Sequence, residues 1–127
     1  MITVLFYLAW IIAIVLVAVG IHAILAPHPL ARRYGVTAHT PDAAAFVRAT
    51  GIRDIALGVV LGATAYVRFL PLLMVLAVAG IAVSIADFLI VLRHHETKKH
   101  HAAHAIHASG IVAFVLILAM ALFAIGR

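Results

Sequence analysis

The chain has 127 residues, of which 67% are apolar and only 10% are charged. Soluble domains carry about 25% charged residues, so this composition excludes a water-soluble domain and favours an integral membrane protein. Cysteine is absent, which excludes disulfides and thiolate metal sites, and the net charge of +5 comes from short basic clusters without any nucleic-acid-binding motif.

The first apolar stretch covers residues 2–26 and is longer than the roughly 20 residues that a helix needs to cross a bilayer. Because it exceeds the about 7–15 apolar residues of a signal peptide, we expect it to be retained as a helix. The segment Pro27-His28-Pro29 is expected to stop this helix, since proline cannot continue one. A loop over residues 30–39 is predicted to follow.

The second and third stretches are predicted as helices over residues 41–67 and 71–92. Thr40 is the expected N-cap of the second helix, with Pro41 at its first position. The link to the third helix is very short, which predicts an antiparallel hairpin. With a fourth helix over residues 102–125, the sequence predicts an all-α, four-helix transmembrane bundle that forms a single domain over residues 1–127.

The basic residues predict the orientation of this multi-pass protein in the cell membrane. Cytoplasmic loops of membrane proteins carry an excess of Lys and Arg. The loops after the first and third helices hold most of them, namely Arg32, Arg33, Arg93, Lys98 and Lys99. Both termini are therefore predicted to face away from the cytoplasm, with the lipid bilayer as the surrounding partner.

Polar side chains inside the apolar stretches are the candidates for function. At a rise of about 1.5 Å per residue, Asp87 lies about 9 Å before the membrane boundary at Arg93. The side chains of His22, Arg53, Asp54 and His107 are likewise expected in the cytoplasmic half of the membrane. Charges within a membrane usually face the bundle interior and mark functional sites. We therefore expect a cytoplasm-facing pocket whose ligand-binding residues are Arg48, Arg53, Asp54, Asp87, His107 and His22.

Small residues accompany this polar layer. Gly58 and Gly62 follow Asp54 on one helix face, a small-x-x-x-small pattern that permits close contact between helices. A similar stripe on the third helix includes Ala77, Gly80 and Ser84. The Gly58 stripe could serve contacts within the bundle or between copies in a homo-oligomer, and the sequence leaves both open.

The histidines make a metal or haem site a weak alternative. His100, His104 and His107 follow an i, i+4, i+7 spacing that can bind zinc or iron. His22 and His107 could ligate a haem from two helices. Acidic partners for a metal are scarce, and nothing else in the chain favours a haem, so no cofactor is predicted.

The segment from Arg48 to Asp54, followed by Gly58, resembles the family called domain of unknown function 4267. Asp87 on the third helix, the histidine of the fourth, and the preceding loop with Tyr34-Gly35 extend the resemblance over nearly the whole chain. The resemblance implies a small four-helix membrane protein without an assigned activity. It singles out Arg48, Gly51, Arg53, Asp54, Asp87 and His107.

Three functions remain open at the level of sequence. The leading hypothesis is a binding or transport protein whose pocket holds a lipid-like or amphipathic anionic molecule, with Arg53 and Arg48 paired to its anionic group. The second is a membrane enzyme acting on a lipid or isoprenoid, in which Asp87 or Asp54 is the acid or base and His107 its partner. The third is an accessory subunit in which the ion pairs only fix the bundle.

Overall fold

A computed structural model describes residues 2–33, 40–93 and 101–126, without the side chains of residues 101–104. The fold of these residues is all-α. It contains five helices: α1 (Ile2–Leu25), α2 (Pro27–Arg33), α3 (Pro41–Val67), α4 (Leu70–Arg93) and α5 (His101–Ile125). The four long helices match the predicted ones to within one or two residues.

Three of the helices are long and apolar enough to cross a membrane, as expected of a membrane protein. They are α1, α4 and the Ala105–Ile125 part of α5. The fourth long helix, α3, has 27 residues but is interrupted by charged side chains, namely Asp42, Arg48, Arg53 and Asp54. The three apolar helices support a membrane protein, and α3 is not one of the three.

The short helix α2 corrects one prediction. The first helix ends before Pro27 as predicted, but residues 30–33 of the predicted loop are helical. Pro27 occupies the first position of α2, where proline is tolerated because that backbone position needs no hydrogen-bond donor. Leu30 and Ala31 on α2 are buried, while Arg32 and Arg33 are exposed. The chain after α1 therefore turns and packs an apolar face back onto the bundle, and only residues 34–39 of the predicted loop lie outside the described part.

The start of α3 confirms the predicted cap. Thr40 has extended backbone angles, and its hydroxyl oxygen accepts a hydrogen bond of 3.2 Å from the backbone N–H of Ala43. At the other end, Arg68 adopts the left-handed conformation, with φ 53°, and its guanidinium carbon lies 6.0 Å from the centre of the Phe6 ring. This turn joins α3 directly to α4.

The helices associate as two tight pairs, α1 with α3 and α4 with α5. The α3–α4 hairpin predicted from the short link makes far fewer contacts, so chain proximity does not decide the packing. Glycines explain the pairing: a Cβ atom at Gly58 would lie 2.8 Å from the Ala13 carbonyl oxygen, and one at Gly80 would lie 2.6 Å from the Phe114 ring. Such close approach requires glycine at these positions.

The main cluster of buried apolar side chains lies in the half of the bundle that contains the α3–α4 turn. It consists of Leu5, Phe6, Ala9, Ala13, Leu61, Ala65, Leu73, Ala77, Phe114, Ile117 and Ala121. Large apolar side chains cover the outside of the helices, among them Ile11, Val59 and Val75. In the opposite half the two helix pairs are separated by cavities, and the polar residues lie there.

Candidate ligand-binding site

Arg53 forms the centre of an ionic triad between α3 and α4. Its Nη2 atom lies 3.0 Å from Oδ2 of Asp87 and 3.2 Å from Oδ1 of Asp54. Its Nε atom donates a second hydrogen bond, of 3.3 Å, to the same Asp54 oxygen. Since α3 and α4 share few other contacts, this triad is the main polar link between the two helix pairs in the described part of the chain.

The triad is partly buried and carries an unequal number of charges. The exposed fractions of the side chains are 15% for Asp54, 29% for Asp87 and 39% for Arg53. Two carboxylates therefore face one guanidinium in surroundings that are mostly apolar. Uncompensated charge is expensive in such surroundings, which makes this imbalance a chemically significant feature of the site.

The first cavity at the triad, which we name the inner cavity, has a volume of about 370 Å³ and lies among all four long helices. Its polar wall includes Arg53, Asp54, Asp87 and His107, and all four long helices contribute to its apolar wall. Toward the core the inner cavity ends at Gly80 and Phe114. These two residues also line a small void whose other lining residues are leucines.

The second cavity, which we name the outer cavity, has a volume of about 450 Å³ and lies beneath α2. Its walls are almost entirely apolar: Ala23, Leu30, Ala31, Ala43, Phe46, Val47, Ile90 and Val91. Asp87 and His107 line this cavity as well as the inner one. The two cavities therefore share these side chains: the inner cavity contains the charged triad, and the outer cavity is almost entirely apolar.

Comparison with known protein families shows the family to which the chain belongs. The family described as Domain of unknown function (DUF4267) matches residues 13–122. The chain belongs to this family. The matched region contains the whole triad, His107 and every residue of the inner cavity except Ile12. No curated protein and no solved structure matches the chain.

In this DUF4267 protein the structure gathers four of the six residues predicted to bind a ligand. Arg53, Asp54, Asp87 and His107, which include the three candidate catalytic residues, line the inner cavity, and the Nε2 atom of His107 is buried. Arg48 on α3 and His22 on α1 are exposed and line neither cavity. Position along each helix was the basis of the prediction, and it does not tell which direction a side chain takes around its helix.

The histidine alternatives fall largely outside the described residues of the DUF4267 chain. His100 and the side chain of His104 are not described, so the predicted i, i+4, i+7 cluster can be followed only at His107. Within the described ranges, no three His, Asp or Glu side chains form a group that could hold a metal ion. For a haem, His22 would have to join His107, yet it lines neither of the cavities that His107 lines.

Several lining residues of the DUF4267 protein were not predicted. Leu30 and Ala31 of α2 line the outer cavity. The sequence feature that could have predicted them is an apolar pair soon after a proline that can begin a helix. Thr50 and Ser109 also line the cavities, but their hydroxyls donate to carbonyl oxygens of their own helices, at 3.1 Å and 2.7 Å. Their hydrogen-bonding capacity is therefore partly used within the helix.

Proposed function

We propose that the DUF4267 chain is a four-helix membrane protein in which α3 crosses the bilayer beside α1. The 27-residue length of α3 supports this, as does the close backbone contact of Gly58 with Ala13. Its charges at Arg53 and Asp54 line the inner cavity, so crossing would not expose them to lipid. The excess of basic residues near the α1–α3 and α4–α5 connections supports a cell-membrane orientation with both termini away from the cytoplasm.

We propose further that the two cavities together bind one lipid-like or amphipathic small molecule, for binding or transport. The observation that carries this is that Asp87 and His107 line both an almost entirely apolar cavity and the cavity that contains the ionic triad. A hydrocarbon chain would occupy the outer cavity, and a polar group would reach the triad. Each cavity has the size of small-molecule sites, which measure about 300–1,000 Å³ and combine apolar walls with a few polar groups.

The anionic ligand group predicted from the sequence has less support than the amphipathic molecule itself. Its two partners were to be Arg53 and Arg48, but Arg48 is exposed and lines neither cavity. Arg53 already contacts two carboxylates. We therefore retain the amphipathic ligand and treat the sign of its charge as a separate question.

Mass spectrometry of small molecules that co-purify in mild detergent tests the binding proposal. The cavity is blocked by Val83→Phe, because Val83 lines the inner cavity. The matched control is Val78→Phe on the same helix, where the side chain is 55% exposed. A molecule retained by wild type and the control, but lost from Val83→Phe, supports the proposal. Equal lipid in all three proteins contradicts it.

Two further variants separate the proposal from its competitors. Arg53→Ala removes the centre of the triad, and Arg93→Ala removes an exposed arginine at the end of α4. Loss of the ligand from folded Arg53→Ala alone supports binding at the triad. Lower thermal stability without any ligand in wild type favours the accessory-subunit alternative.

The enzyme alternative has one specific observation in its favour, because Asp87 and His107, a carboxylate and an imidazole, line the same two cavities. It predicts that Asp87→Asn keeps the bound molecule but changes the ratio of substrate to product among the co-purified species. An unchanged ratio, with the molecule retained, contradicts catalysis by Asp87.

A further inference from the structure

The charges that face the inner cavity give information about the ligand's polar group. Among the described lining residues, Asp54 and Asp87 are acidic and only Arg53 is a permanent cation; His107 adds an imidazole. With both carboxylates ionised and His107 neutral, the lining has one excess negative charge. No lining residue contributed by α1 is charged.

The contacts within the triad leave acceptor atoms available. Arg53 contacts Oδ1 of Asp54 and Oδ2 of Asp87. Within the described part of the chain, Oδ2 of Asp54 and Oδ1 of Asp87 have no hydrogen-bond donor. A carboxylate accepts through both oxygens, so each acid can contact Arg53 and a second cation at the same time. The guanidinium already contacts two carboxylates through its Nε and Nη2 atoms, so its single positive charge is shared between two anions.

We propose that the polar group of the bound amphiphile is a cation, an alkylammonium or other amine. This inference rests on the proposed function, because it assigns the charge of the molecule that the two cavities bind. The cation would lie beside Asp87, the residue shared by both cavities, and would balance the excess negative charge. An anionic group would instead add a second excess negative charge to a partly buried site, which is the costlier arrangement.

Two probes of equal chain length and opposite charge test this inference: decylammonium, whose N–H groups can donate to carboxylate oxygens, and decanesulfonate. Each is titrated into the purified full-length protein in a neutral detergent, and bound copies are counted by native mass spectrometry. We expect wild type to bind the cation about tenfold more tightly than the anion, since a single charge pair near the protein surface has an effect of at least that size. Val83→Phe should lose this binding, and Val78→Phe should retain it.

Variants of the acids then establish the cause of the preference. Asp87→Asn removes the excess negative charge and should make the two probes bind about equally. The double variant Asp54→Asn/Asp87→Asn leaves a single positive charge and should reverse the preference. Asp87→Glu retains the charge and should retain the preference for the cation, which provides a folded control if the asparagine variants are unstable by size-exclusion chromatography.

The outcomes distinguish this inference from the proposed function. If neither probe depends on Val83, the binding proposal itself fails. If both probes bind in a Val83-dependent manner but the anion is equal or preferred in wild type, the cavity stands and the cation inference is overturned. A preference for the cation that survives in the folded double variant also overturns it, because the preference then does not come from the acids.

Discussion

Substitution of Gly58 by alanine tests whether α1 and α3 form a rigid pair beside the cavities. The new Cβ atom would lie 2.8 Å from the carbonyl oxygen of Ala13 and 2.8 Å from a methyl carbon of Val17, whereas ordinary contact begins at 3.4 Å. The Ala13 oxygen belongs to the backbone, so relief requires α1 and α3 to move apart. Overpacking of this kind costs about 1–3 kcal/mol.

Gly62→Ala is the matched control, one helical turn farther along the same helix. Its Cβ atom would lie 3.5 Å from the Trp10 ring and 3.6 Å from Ala13 Cβ, which are normal contact distances. Both variants gain the same intrinsic preference of alanine for helix, about 1 kcal/mol. The difference between them therefore isolates the cost of the close contact, and we expect Gly58→Ala to be less stable than Gly62→Ala by about 1–3 kcal/mol.

Thermal unfolding in mild detergent, followed by tryptophan fluorescence, measures this difference. Trp10 is the only tryptophan and lies beside Gly62, so its emission reports the α1–α3 contact directly. The midpoint of Gly58→Ala should fall below that of Gly62→Ala by on the order of 4 °C per kcal/mol. Equal midpoints, or a more stable Gly58→Ala protein, would refute the packing of these two helices as described.

Three further predictions concern the ends of α3 and the triad. Thr40→Ala should cost about 1 kcal/mol by removal of the N-cap, seen as faster hydrogen exchange at the Ala43 amide; unchanged exchange contradicts the cap. Arg68→Gly should raise stability by about 0.5–1 kcal/mol in thermal unfolding, because glycine adopts the left-handed conformation without strain; a lower midpoint would show that the contact with Phe6 matters more. Asp87→Asn should lower stability by about 1 kcal/mol or less, since the bridge to Arg53 is partly exposed; a loss of several kcal/mol would contradict that exposure.

The sequence predicted the fold most accurately where local chemistry decides the structure. Thr40 and Pro41 fix the start of α3 because a hydroxyl cap and a first-turn proline act within a few residues. The same local logic correctly ended α1 before Pro27 but predicted a loop from residue 30, where α2 continues to Arg33. Whether α2 forms depends on the burial of Leu30 and Ala31 against other helices, which local signals do not contain.

The candidate site was predicted in part, for a comparable reason. Counting residues along each helix gives the depth of a polar group, and depth correctly grouped Arg53, Asp54 and Asp87. His22 and Arg48 line neither cavity, because position along a helix contains no information about rotation relative to neighbouring helices. The rotation of each helix depends on which helices pair with each other. The α1–α3 pair depends on glycine contacts, and from the sequence the same glycines fit contacts within one chain or between copies in a homo-oligomer.

The pairing of helices also explains why structure and binding are difficult to separate in this protein. The core holds the two helix pairs together at one end, and at the other end the Arg53–Asp87 bridge spans the space between α3 and α4. A bridge that closes a cavity also lines it, so any change at Asp87 alters both the link and the charge inside. This is why the charge-retaining Asp87→Glu variant and the Val83→Phe block are needed: the first preserves the charge while it changes the length of the side chain, and the second fills the cavity while all three charged residues of the triad are kept.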